Sequence, residues 1–193
     1  MFTKENSAIV LIDHQDMTMG WVHSLPQKVS VANVRQLARL STEFDIPLLV
    51  TATMEENVGT SIKGIQELAP EAYANRVSRG GTLNCFLDPK FTEAVAALER
   101  KNLIMAGLTT DICLFRTAVG ALDAGYNVQV VADACGSSSA LSDAITFDRL
   151  RALGAVVTVG NQILSELFDD FSTEEGYRAM QINLQEVVTA LSS

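Results

Sequence analysis

A thiol, a carboxylate and a guanidinium each stand where an apolar segment of this 193-residue chain gives way to polar residues. Cys113 closes Leu103-Ile104-Met105-Ala106-Gly107-Leu108-Thr109-Thr110-Asp111-Ile112-Cys113, in which a buried-type strand runs into the opening of an amphipathic helix. A thiol in the first turn of a helix feels unpaired backbone N–H groups and the positive end of the dipole. The spacing therefore predicts the thiolate, the nucleophilic form. Asp13 follows four apolar residues in Ile9-Val10-Leu11-Ile12-Asp13. A carboxylate there is costly to bury unless paired or used, and by pattern alone it is equally a cap for the following turn. Arg79 precedes Gly80-Gly81, a pair that permits close backbone approach to a ligand or simply a turn beside a solvated arginine. Strand alternation puts Gln15 on the Asp13 face and His14 on the other, where it is expected to pack rather than react. Cys85 and Cys135 read as small buried hydrophobes.

The elements that must position these groups are legible as apolar blocks at 8–12, 48–52, 103–106, 128–132 and 155–159, with a weaker sixth near 73–77. Each block is continuous rather than alternating, as in parallel strands covered on both faces. Helical patterns lie between them, and Gly125 and Gly154 stop two of the helices. A last amphipathic helix is expected over 173–190, and the longest irregular stretch is 54–81, interrupted by a helical piece at 62–68. The alternation predicts an α/β fold: a doubly wound, Rossmann-like, parallel six-stranded sheet with helices on both faces, in a single domain over 1–193.

Composition narrows the function classes. A net charge of −9 argues against nucleic acid or an anionic membrane surface as partner. No apolar run reaches the roughly 18 residues of a membrane span. The first residues lack the basic and apolar blocks of a signal peptide, and three widely spaced cysteines fit reduced thiols, so a cytoplasmic location is expected. Two histidines leave little for a histidine-based zinc site or a Ser-His-Asp triad. The first βα turn lacks the glycines of a nicotinamide-cofactor site. A positive mean hydropathy, +0.19, without a span points to a surface covered by a second copy of the chain.

Together these pieces resemble the isochorismatase-like cysteine hydrolase superfamily, in its YcaC-like branch, over nearly the whole chain. Ile12-Asp13-His14-Gln15 is similar to its first-strand aspartate motif, Gly107-Leu108-Thr109-Thr110-Asp111-Ile112-Cys113 to its nucleophile motif, and Ala132-Asp133-Ala134 to the segment after the fifth strand. The resemblance implies the superfamily's hydrolase fold and a catalytic triad of Asp13, Arg79 and Cys113. It also implies a cis peptide at Leu108-Thr109, an oxyanion hole from the backbone N–H groups of Thr109 and Cys113, and tetramers or octamers. Most of the superfamily has lysine where this chain has Arg79; the YcaC-like branch has arginine. Arginine supplies charge but gives up no proton near neutrality, so proton work falls on Asp13. The metal-binding histidines of the superfamily's nicotinamidases have no counterpart in Thr51-Ala52-Thr53-Met54-Glu55-Glu56-Asn57, so neither metal nor cofactor is expected.

The expected reaction is hydrolysis of a small amide-type C–N bond through a Cys113 thioester. Gln15, Met17, Trp21, Asn84, Phe86 and Phe115 are expected to line the substrate pocket. Two alternatives stand beside it: a thiol-reactive or small-molecule binding protein with little turnover, and a vinyl ether hydrolase acting on isochorismate.

Overall fold

The computed structural model describes residues 1–192. Six parallel strands form one sheet: β1 (Ser7–Ile12), β2 (Leu48–Thr53), β3 (Val77–Arg79), β4 (Asn102–Gly107), β5 (Asn127–Val131) and β6 (Val156–Thr158). Their order is β3-β2-β1-β4-β5-β6. All six residues of β1 and of β4 are buried, which is why 8–12 and 103–106 are continuous apolar runs. The predicted α/β class and doubly wound sheet are the ones found.

The chain winds outward from β1 through helix Gln27–Glu43 to β2 and on to β3. It then crosses back through helix Pro89–Ala97 to β4, on the other side of β1. The strand order reverses between β1 and β4. In open sheets of this kind a crevice opens there, at the carboxyl ends of the strands. Asp13 directly follows β1 and Cys113 follows β4, so the fold delivers both to that crevice. The β1–β4 register, with Ile12 beside Gly107, brings the two strand ends level. Gly107 is required there, because a Cβ would lie 2.9 Å from the Ile12 Cβ.

Three elements depart from the sequence reading. The weak sixth strand lies at Val77–Arg79, not near 73–77, because Pro70 opens a short helix, Pro70–Ala74, that takes up Tyr73. A helix at Gly160–Leu167 was not signalled by the sequence, and the terminal helix Glu174–Asn183 continues as a wider turn, Leu184–Thr189. Helix Gly160–Leu167 is fastened at its first residue: Gly160 N–H donates to Asp133 Oδ1 at 2.8 Å, and Gln36 Nε2 donates to Gly160 O at 3.1 Å. A side chain at 160 would meet Asn33 Oδ1 at 2.3 Å.

Candidate active site

The segment after β4 does not enter an α-helix directly. The Leu108–Thr109 peptide bond is cis, Thr109 is extended, and Thr110–Leu114 forms a widened turn in which Leu114 N–H donates to Thr109 O at 3.3 Å. Helix Phe115–Asp123 follows. Cys113 therefore lies inside this turn, 7% exposed, rather than in the first turn of the α-helix.

Asp13 is the hub of the site. Its backbone is left-handed, φ +53°, a conformation aspartate tolerates better than most residues. That geometry is held from all sides: Asp13 N–H donates to Thr51 O at 3.1 Å, and its carbonyl accepts from Gln15 N–H at 2.9 Å and Thr18 Oγ1 at 2.7 Å. Thr51 Oγ1 donates to Asp13 Oδ1 at 2.6 Å, and Arg79 Nη2 donates to Oδ2. The Arg79 fork also donates through Nη1 to Thr82 O. Both charged side chains are fully removed from solvent. The Cys113 thiol is hydrogen-bonded to the same carboxylate.

This packing corrects one expectation. Burial, first, and then the Asp13 charge and its hydrogen bond push the Cys113 thiol up to about 12, with Arg79 opposing and Cys85 adding to the rise. The resting sulfur is a thiol bonded to a carboxylate, not a thiolate, because a dipole effect of a kcal/mol or so is outweighed by desolvation and a like charge. Arg79 keeps its proton above its ordinary range: burial opposes the charge, but the Asp13 carboxylate outweighs it.

The structure brings Asp13, Arg79 and Cys113 together and places the expected pocket residues less uniformly. Gln15 has no free amide to offer. Its Nε2 donates to Thr53 O at 3.0 Å and Gly59 O at 2.6 Å, and its Oε1 accepts from Thr53 N–H at 2.8 Å, so it fastens the loop after β2. Asn84 Oδ1 accepts from Phe86 N–H at 3.0 Å and caps the turn Cys85–Leu87 while its amide lies over Gly120. Phe86 turns to Phe91 and Tyr126, with ring centroids 5.1 and 5.8 Å away; Tyr126 stands at the amino end of β5, away from the carboxyl-end crevice. Phe115 is buried under the Arg149 guanidinium, 4.4 Å from the ring centroid. Met17 and Trp21 are about half exposed on the segment after β1. A cavity of about 450 Å³, lined by Met54, Glu56, Asn57 and Arg79 among others, opens at the carboxyl ends of β2 and β3. A larger one of about 690 Å³ lies by Pro47 and Leu98, at the amino end of β2 and away from all three triad candidates.

Sequence reasoning missed Thr51 and undervalued Cys85. Cys85 abuts the Asp13–Arg79 pair, and burial pushes it up to about 11, with Arg79 opposing. The available signal for Thr51 was a hydroxyl inside an otherwise apolar strand. Cys135 is fully buried, with its thiol 3.1 Å from Val131 O. Among the described residues, no group of three or more His, Cys, Asp or Glu side chains is placed to hold a metal ion.

His14 packs, as its strand face predicts. Its Nε2–H donates to Ala134 O at 2.9 Å. Burial holds it down to about 4 from 6.5, against the pull of the Ala134 carbonyl and Asp13. The folded protein thus keeps His14 neutral where the unfolded chain takes up a proton. Stability from this group is complete above pH 6.5 and is lost as pH falls from 6.5 toward 4, by about 3 kcal/mol. Urea titrations across that window should show the decline, and His14→Gln should flatten it.

A sequence model described as "Isochorismatase domain" matches residues 7–162, from the first residue of β1 to beyond the end of β6. The chain belongs to the isochorismatase family. It is 30% identical over 176 residues to "Probable hydrolase YcaC" of Escherichia coli strain K12, spanning 89% of this chain and 82% of that protein. Among solved structures, YcaC from Pseudomonas aeruginosa, determined with hexane-2,5-diol and covalent acrylamide, matches with a TM-score of 0.90 at 27% identity, over 99% of this chain and 94% of that one. The E. coli YcaC gene product, described as an octameric hydrolase of unknown specificity, also matches at 0.90, with 25% identity over 99% and 93% of the two chains. The chain is thus an isochorismatase-like member of a hydrolase family, similar to YcaC along nearly its full length.

Proposed function

We propose that this chain hydrolyses a small amide-type substrate through a Cys113 thioester, with Asp13 as proton carrier and Arg79 as fixed cation. One observation carries the reading: a thiol and a guanidinium meet on a single buried carboxylate. As Cys113 Sγ attacks the amide carbonyl, its proton passes to Asp13. The oxyanion is met by the backbone N–H groups of Thr109 and Cys113. Asp13 then protonates the leaving nitrogen, the C–N bond breaks and the amine departs. Water gives a proton to Asp13 and adds to the thioester, the acid leaves, and the proton returns to sulfur. Arg79 moves no proton; it holds a fixed positive charge against the Asp13 carboxylate. Its Nε and the hydroxyls of Thr109 and Thr110 are buried without a protein partner, so each has hydrogen-bonding capacity left for a polar substrate.

A second reading, capture of electrophiles by Cys113 without turnover, is supported by the covalent acrylamide on the Pseudomonas relative. The chain is also read as a homo-oligomer, tetramer or octamer, on the strength of exposed Ile112, Leu141 and Ile145 and the octameric relative. A panel of small amides, lactams and ureido acids decides between the readings. Turnover by the parent, absence of turnover in Cys113→Ala, and a transient acyl mass on Cys113 are expected. Equal rates in both proteins would end the proposal, and a stable adduct without turnover would favour capture. Light scattering on the same preparation reads the assembly, and a monomer at micromolar concentration would overturn that part.

A further inference from the structure

Asp13 is gripped by one group that the mechanism above does not use. Thr51, fully buried in β2, presents Oγ1 at 2.6 Å to Asp13 Oδ1. The parallel register sets Thr51 beside Ile12, and Thr51 O accepts the Asp13 N–H at 3.1 Å. One residue thus holds the backbone and the carboxylate of Asp13 together.

The polarity of this contact is forced. A carboxylate oxygen paired to arginine only accepts, so the single Thr51 hydroxyl proton points to Asp13. Behind it lies Cys85, in hydrogen-bond contact with Thr51 and Thr117. Thr117 Oγ1 donates to Leu83 O at 3.3 Å and accepts from Cys85 N–H at 3.2 Å, so its proton is also committed. Cys85 thus packs close to Thr51, whose own proton is committed to Asp13.

We propose that Thr51 is a positioning residue, which fixes the rotation of the Asp13 carboxylate so that it faces Arg79 and the Cys113 proton. The inference rests on Asp13 being the base that takes that proton. The charged or titratable groups around Asp13 are Arg79 from β3, Cys113 from the turn after β4, Cys85 from the turn Cys85–Leu87, and its neighbour His14. Thr51 adds no charge. It contributes a donor and a fixed direction.

Thr51→Val keeps the branched strand side chain and removes only the donor, leaving Oδ1 facing a methyl group. An ionised carboxylate with one donor fewer accepts a proton more readily. The probe is iodoacetamide, with alkylation of Cys113 in the full chain followed by peptide mass so that Cys85 and Cys135 are scored separately. In Thr51→Val the acid limb of the rate profile should move up by about one pH unit and the plateau should fall about tenfold. Thr51→Ser should restore both, and Asp13→Asn should lower the plateau at least about 100-fold. Should Thr51→Val not fold, Thr51→Ala carries the same comparison. A Thr51→Val profile superimposed on the parent, with Asp13→Asn slow, overturns the positioning role and leaves the mechanism standing. A fall in melting temperature with an unmoved acid limb does the same. An Asp13→Asn profile equal to the parent overturns the mechanism, and the positioning role with it.

Discussion

In the proposed amide hydrolysis, Asp13→Asn should lower kcat by about 10³- to 10⁴-fold while changing KM little. With burial and the Asp13 charge pushing the Cys113 thiol well above its ordinary range, little thiolate is available at pH 7 without a base. Nucleophile supply then depends on a group that removes the proton during attack, and Asp13 is the carboxylate hydrogen-bonded to that thiol. Asparagine tolerates φ +53° and keeps the shape, so the backbone is spared. The residual rate should climb steadily with pH, because solvent hydroxide takes over the ionisation. Steady-state kinetics from pH 5 to 9 check this, and a variant within tenfold of the parent would remove Asp13 from the chemistry.

Arg79→Met is expected to destabilise the fold by about 3–5 kcal/mol, more than its modest change in volume implies. The partner carboxylate lies wholly out of solvent, and without the guanidinium its charge is unpaired. The Thr82 carbonyl loses its Arg79 donor at the same time. The double variant Asp13→Asn/Arg79→Met should recover much of the loss, since it buries no charge. Guanidinium denaturation of both singles and the double closes the cycle. Additive losses would mean that the pair is not coupled, despite its geometry.

Much of this was legible because parallel strands covered on both faces must be continuously apolar, so the breaks in those runs mark strand ends. Asp13 and Cys113 stand at such breaks, and a doubly wound sheet sends adjacent strand ends to one crevice. The pocket was harder to read. Alternation predicts Gln15 on the face of Asp13, but β1 ends at Ile12 and the left-handed Asp13 breaks the alternation, and the Gln15 amide is consumed by Thr53 and Gly59. Phe86 follows Cys85 directly, but in a tight turn the two side chains diverge, one to the Asp13–Arg79 pair and one to Phe91 and Tyr126. Pro70 turned the expected sixth strand into a helix and moved pairing on to Val77. Each of these outcomes depends on partners far away in the chain.

The amino-acid sequence by itself determined the sheet, the strand ends and the family, because hydrophobic blocks and short motifs are local properties. Only the tertiary structure decided that the Cys113 sulfur rests protonated and that Thr51 and Cys85 stand behind Asp13. A thiol's proton affinity follows from how deeply it is buried and which charges surround it. Those come from segments separated by 66 residues in the Asp13–Arg79 pair and by more between Asp13 and Cys113, and no run of neighbouring letters records them.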